Sequence, residues 1–232
     1  VILPGLEKAA LRNSELTFAI FSPHIFRFLN YDSIDAISIV LKSKFFGQLF
    51  SSLKSSKETV RLGSSEILRT VLNNNKLNAN DDVITPFLDE SFKILKALPS
   101  SAVEQKVLVV NVINSVQYSF HSSTEKILDL TLPYVAKENN ESYLPHLLDT
   151  MLSRFVHLIC EKRTFDSKSK IVELLNSGLK EKKIPLKTAW CTSFGASILK
   201  QNITSENENE IFELFNSGIT DSLLKVFNEC VD

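Results

Sequence analysis

The chain has 232 residues, 44% hydrophobic and 23% charged, with a formal net charge of −1. That balance excludes a disordered chain and supplies enough apolar surface for a long core. Six glycines and seven prolines are too few for the turns of an all-β sandwich, so the composition favours helices joined by short polar loops.

The first dozen residues read as the tail of a helix. Asp32 and Ser33 then precede Ile34, Ile37, Val40, Leu41, Phe45, Leu49 and Leu53, which recur at helical spacing until Ser55 and Ser56. A second helix runs from Glu58 to Leu72 with Val60, Ile67, Leu68 and Val71 on one side, and Asn73, Asn74 and Asn75 follow it. The two are expected to form an antiparallel hairpin.

The alternation continues. Asp81 or Asp82 is placed to cap a helix reaching Leu98, Ser100 or Ser101 one reaching Phe120, and Ser123 one reaching Lys137. Further helices are expected over 141–161, 167–181, 185–201, 205–216 and 221–230. Val107–Ile113 is rich in β-branched residues and suits a buried strand on local propensity. It lies in a stretch without Gly or Pro, and a helix sandwiched between hairpins is apolar on most faces, so we assign it to a helix. Pro23, Pro133 and Pro145 fall inside expected helices, where each removes a backbone hydrogen bond and bends the rod.

A duplication stands out. Ile171, Glu173, Leu174, Asn176, Ser177 and Gly178 recur forty residues later as Ile211, Glu213, Leu214, Asn216, Ser217 and Gly218. Val172, Leu175 and Leu179 are matched by the apolar Phe212, Phe215 and Ile219. Asp82, Ser123, Ser167 and Ser205, which open alternate helices, are spaced by 41, 44 and 38 residues. A period near 40 built from two helices is that of HEAT or armadillo units. The Val60-Arg61 pair resembles the Val-Arg common in the second helix of HEAT repeats. The expected fold is an all-α, HEAT-type superhelical solenoid of about five hairpins, one continuous segment over 1–232, each unit burying its apolar face on its neighbours. The single methionine, Met151, and the first residue, Val1, lead us to expect an excerpt of a longer array whose targeting signals lie open.

Leu3, Pro4, Gly5, Leu6, Glu7 and Lys8, with Leu11 and Arg12 and the Ser55–Arg69 stretch, resemble the N-terminal HEAT region of the large translational activators of general amino-acid control. The resemblance implies a cytoplasmic, ribosome-associated scaffold that promotes activation of the starvation-responsive initiation-factor kinase. It also implies contacts with that kinase and with an ATP-binding-cassette protein through other regions, leaving this segment for ribosome association or for spanning. An adaptor of karyopherin or trafficking type, gripping cargo peptides, is the alternative. Its discriminator would be an acidic inner surface, whereas the acidic residues here gather towards the C-terminal end.

Charge is laid out unevenly. Residues 161–200 carry nine Lys/Arg against four Asp/Glu, and 201–232 carry one against seven. Lys162, Arg163, Lys168 and Lys170 lie near one loop, and Lys180, Lys182, Lys183 and Lys187 near the next. Clustered on the rims of neighbouring hairpins, they would suit ribosomal RNA phosphates or a ribosomal protein. Ordinary decoration of helix ends is the competing reading. The run Glu206, Glu208, Glu210 and Glu213 suits a helix N-terminus.

Catalytic and cofactor motifs are missing from the sequence. His24, His121, His146 and His157 show no H-E-x-x-H spacing, and no G-x-S-x-G, P-loop or dinucleotide-binding glycine pattern occurs. Cys160, Cys191 and Cys230 form no C-x-x-C pair, which argues for thiols and against a disulfide framework or zinc site. The 16 phenylalanines fall mostly on apolar helix faces. Apolar stretches such as Val107–Val110 fall far short of the roughly 20 residues a membrane span needs. No enzyme, cofactor, metal, membrane or small-molecule substrate is expected.

Overall fold

The computed structural model describes residues 8, 12, 43–73, 81–118 and 121–231. Among these every regular element is helical: α1 (Lys44–Ser52), α2 (Glu58–Leu72), α3 (Asp81–Ala97), α4 (Val103–Asn114), α5 (His121–Val135), α6 (Leu144–Cys160), α7 (Lys168–Leu179), α8 (Ile184–Leu199), α9 (Glu208–Leu214) and α10 (Thr220–Val231). The fold is all-α. The opening Leu3–Leu6 stretch, Pro23, the Asp32 and Ser33 caps, Asn74, Asn75 and Phe120 lie outside the described residues.

Several expected boundaries move, each for a local reason. Of the apolar run through Phe45, the part before residue 43 lies outside the described residues. Ser43 is extended, with φ −81° and ψ 150°, and its hydroxyl accepts from the Phe46 N–H at 3.4 Å, so α1 starts afresh there. α4 stops at Asn114, where the Ser115 hydroxyl donates to the Asn111 carbonyl at 2.8 Å. Ala102, and neither Ser100 nor Ser101, occupies its N-cap. Pro145 falls in the first turn of α6, where a missing N–H costs nothing, so the bend expected there has no cause. Pro133 does sit inside α5, and so does the overlooked Pro86 inside α3. The β-branched Val107–Ile113 run is helical, as the sandwiching argument requires.

The chain divides into two compact units, 1–124 and 125–232. In the first, α1 packs on α2, α2 on α4, and α3 on α4. Phe46, Phe50 and Phe87 interlock α1 with α3, with ring centroids 4.2 Å apart for Phe46–Phe87 in an edge-to-face pair. Leu49, Leu53, Val60, Leu68, Val71 and Val109 fill the core. Arg61 explains the Val-Arg pair: its Nη1 donates to the carbonyls of Ser55 (2.9 Å) and Ser56 (3.0 Å), tying α2 to the loop that ends α1.

In the second unit α6 is buried on nearly every side, from Leu144 through Met151 and Phe155 to Cys160. Its most extensive partner is α8. Small residues at that seam let the rods approach, the Ser153 and Ser197 hydroxyls lying 3.3 Å apart. α7 meets α8 where Gly178 faces Trp190. From α9 the chain passes through Phe215–Ile219 with a break at Ser217 and Gly218, the latter at φ 91°, into α10.

Contacts recur at one repeat length. Within the first unit Gln117 donates to Asn73, 44 residues away. Within the second, Ser153 meets Ser197 at 44, Lys187 meets Glu229 at 42, and Asn176 meets Ser217 at 41. α2 against α4 and α6 against α8 are both second helix on second helix, which is how stacked two-helix units bury the faces that a lone hairpin leaves open.

Candidate basic surface

The eight basic residues singled out in the sequence all belong to the second unit, and α7 sorts them into two groups. Its twelve residues span about 18 Å at roughly 1.5 Å per residue. Lys162, Arg163, Lys168 and Lys170 lie at its N-terminal end, Lys180, Lys182, Lys183 and Lys187 beyond its C-terminal end. They form two rims and not one patch.

At the first rim Lys162 occupies the left-handed region, φ 55°, immediately after the cap of α6. Its N–H donates to the Ile159 carbonyl (3.0 Å) and that of Arg163 to the Leu158 carbonyl (3.0 Å), closing the helix with the paired bonds usual around a left-handed glycine. Its ammonium pairs with Glu210 at 3.1 Å. The Glu210 carboxyl is held below its ordinary value by its own backbone N–H and by the Lys162 ammonium, with Lys168 adding to the pull. Arg163, Lys168 and Lys170 are exposed.

At the second rim Lys180 caps α7, and Glu181 turns its carboxylate on the backbone, accepting from the N–H groups of Lys182 (2.8 Å) and Lys183 (3.3 Å). Lys180, Lys182 and Lys183 point to solvent. Lys187 is different. Its side chain is only 17% exposed and it pairs with Glu229, whose carboxyl it draws down by that hydrogen bond. The acidic stretch after residue 200 thus folds against the basic one, taking up one lysine at each rim. Sequence reasoning missed both partners, although the opposed charge blocks were the signal.

Among the described residues no group of three metal-binding side chains occurs, and no helix is long and apolar enough to cross a membrane. Burial, with Glu161 and Glu210 nearby, pushes the Cys160 thiol up, away from the reactive thiolate. Burial pushes the Tyr143 phenol up as well and lowers His146 towards neutrality against the opposing pull of Asp149.

The family model described as General control nonderepressible 1 (Gcn1) N-terminal matches residues 103–232. The chain belongs to the Gcn1 N-terminal family. The eIF-2-alpha kinase activator GCN1 of Saccharomyces cerevisiae is 31% identical to it over 207 residues, covering 88% of this chain. The chain spans 7% of that relative's length. No solved structure matches it. The stretch matched by the Gcn1 N-terminal model contains α7 with both its rims, α8 and the acidic α9–α10 segment.

Proposed function

We propose that this chain is a non-catalytic stretch of one HEAT-type repeat array in a cytoplasmic translational activator, whose full polypeptide promotes activation of an eIF-2-alpha kinase. Likeness to the yeast activator over most of the chain carries the kinase-pathway reading. This segment's own part is contact with ribosomes. Arg163, Lys168 and Lys170 at one end of α7, and Lys180, Lys182 and Lys183 at the other, are exposed cations in a stretch, 161–200, where Lys/Arg outnumber Asp/Glu by nine to four. Phosphates bind such cations by releasing counterions, which makes the attraction independent of base sequence and steeply weakened by salt. By family resemblance, the kinase and the ATP-binding-cassette protein are reached through other regions.

The test is co-sedimentation of the chain with ribosomes at graded salt, against a variant with Lys180, Lys182 and Lys183 changed to Glu. Lys162 and Lys187 stay unchanged because each already holds a carboxylate. Salt-sensitive binding abolished in the reversed variant supports the reading. Equal sedimentation of both folded proteins, or none by either, overturns the contact.

A further inference from the structure

We propose that Lys162 is a masked phosphate contact of the first rim: Glu210 holds its ammonium in the free chain, and a phosphate of ribosomal RNA displaces Glu210 when the rim is engaged. The inference rests on the ribosome-contact reading and adds to it one contact residue and one built-in competitor.

Lys162 stands where a glycine would be at ease. It follows the cap of α6 at φ 55°, and the bonds from its own N–H and that of Arg163 to the Ile159 and Leu158 carbonyls need a left-handed backbone but no side chain. A lysine is strained there, and a solvent-screened ion pair does not fully offset the strain. Such strain persists where the side chain has a task besides folding.

The pair is also built to open. The Lys162 side chain is 58% exposed and that of Glu210 24%. Only Oε1 of Glu210 meets the ammonium, at 3.1 Å, while Oε2 is buried without a hydrogen-bond partner. Release of the carboxylate into water would hydrate that oxygen, so opening relieves a desolvation cost. Lys168 also draws on Glu210. One carboxylate thus occupies, with a single charge, a position that two cations of the rim attract.

A phosphate has the chemistry to take that position, with a like charge and more acceptor oxygens. Free in solution it competes poorly with a glutamate tethered beside the lysine. Within an RNA strand it is better placed: Arg163, Lys168 and Lys170, all exposed, hold neighbouring phosphates and present it at high effective concentration. Each phosphate neutralised also releases counterions.

The test is salt-titrated binding of the intact polypeptide to ribosomes and, in parallel, to purified ribosomal RNA. Lys162→Gly relieves the strained backbone, so it should keep or raise the unfolding midpoint while binding roughly fivefold more weakly near physiological salt, with a log-affinity against log-salt slope shallower by about 0.7–0.9, the share of one phosphate. Glu210→Gln should tighten binding by a similar factor. In the Lys162→Gly background it should change nothing, because no lysine is left to mask. Wild-type binding by Lys162→Gly overturns the proposal. So does equal tightening by Glu210→Gln in both backgrounds, since the carboxylate then acts only through the net charge of the rim. Effects seen with ribosomes but not with purified RNA overturn the phosphate assignment in favour of an acidic ribosomal protein. If charge reversal at Lys180, Lys182 and Lys183 abolishes binding while the Lys162 and Glu210 variants match wild type, ribosome contact stands and the masked lysine falls; a wild-type polypeptide that binds neither ribosomes nor RNA overturns both.

Discussion

Gly178 lies so close to the indole of Trp190 that a β-carbon there would sit 2.2 Å from two of its ring carbons. Its duplicate, Gly218, has no such neighbour but adopts φ 91°, where L side chains are strained. One glycine is kept for close packing of α7 on α8, the other for a corner in the backbone.

Gly178, Gly218, Gly47 and Gly195 should therefore separate in a thermal or urea denaturation series. Gly178→Ala must displace the Trp190 ring and should cost about 1–3 kcal/mol, the range for overpacking. Gly218→Ala should cost about 1–2 kcal/mol through the left-handed backbone. Gly47→Ala in α1 and Gly195→Ala in α8 meet nothing within 4 Å and should stabilise by roughly 0.5–1 kcal/mol through helix propensity. A stable Gly178→Ala variant would contradict the packing described for α7 and α8.

Lys162 carries a strain that a glycine would relieve. Left-handed backbone costs a non-glycine residue about 1–2 kcal/mol, and its solvent-screened ion pair with Glu210 offsets only part of that. Lys162→Gly should raise the unfolding midpoint, and Lys162→Ala, which keeps the strain and loses the pair, should lower it. If alanine proves the more stable, the helix end is not strained as described.

Arg61 should behave as a fastener. Its side chain is 11% exposed and gives two charge-assisted bonds to the Ser55 and Ser56 carbonyls. Arg61→Ala should cost about 1.5–3 kcal/mol, the range for bonds made by a charged group. Glu104, 4.0 Å away and largely solvated, adds little, so Glu104→Ala should be nearly silent.

Acid should loosen the α9–α10 segment first. The Glu210 and Glu229 carboxyls are both lowered, Glu210 first by its backbone N–H and then by Lys162, Glu229 by Lys187. As pH falls below the ordinary glutamate value of about 4.3, the unfolded chain takes up protons before the folded one. Their stabilisation is thus complete at neutral pH and is lost as pH drops through the lowered folded values. Urea midpoints should fall in that window, and Glu210→Gln with Glu229→Gln should flatten the decline. An unchanged slope in the double variant would refute the assignment.

What could be read from the residues depended on range. α2 was legible to its ends because Val60, Ile67, Leu68 and Val71 mark one face and Glu58 opens the first turn. The helical state of Val107–Ile113 was legible only by considering its neighbours, since local propensity pointed the other way. The start of α1 was hidden because apolar spacing runs through Ser43 without a break, while a single cap hydrogen bond decides the boundary. The basic groups were visible as composition, but their division needed the length of α7, and the pairings of Lys162 and Lys187 needed partners 48 and 42 residues away. The duplication was plain, yet identical letters at Gly178 and Gly218 concealed two different duties.

The proposed ribosome contact runs through the exposed cations at the two ends of α7. It is tested most directly by changing Lys168, Lys170, Lys180, Lys182 and Lys183 to Glu in the intact polypeptide, then measuring ribosome co-sedimentation together with eIF-2-alpha phosphorylation under amino-acid starvation. Both should fall while hydrogen exchange in α6 and α8 stays unchanged. Sedimentation and phosphorylation at wild-type levels, with the reversed residues folded, would contradict it.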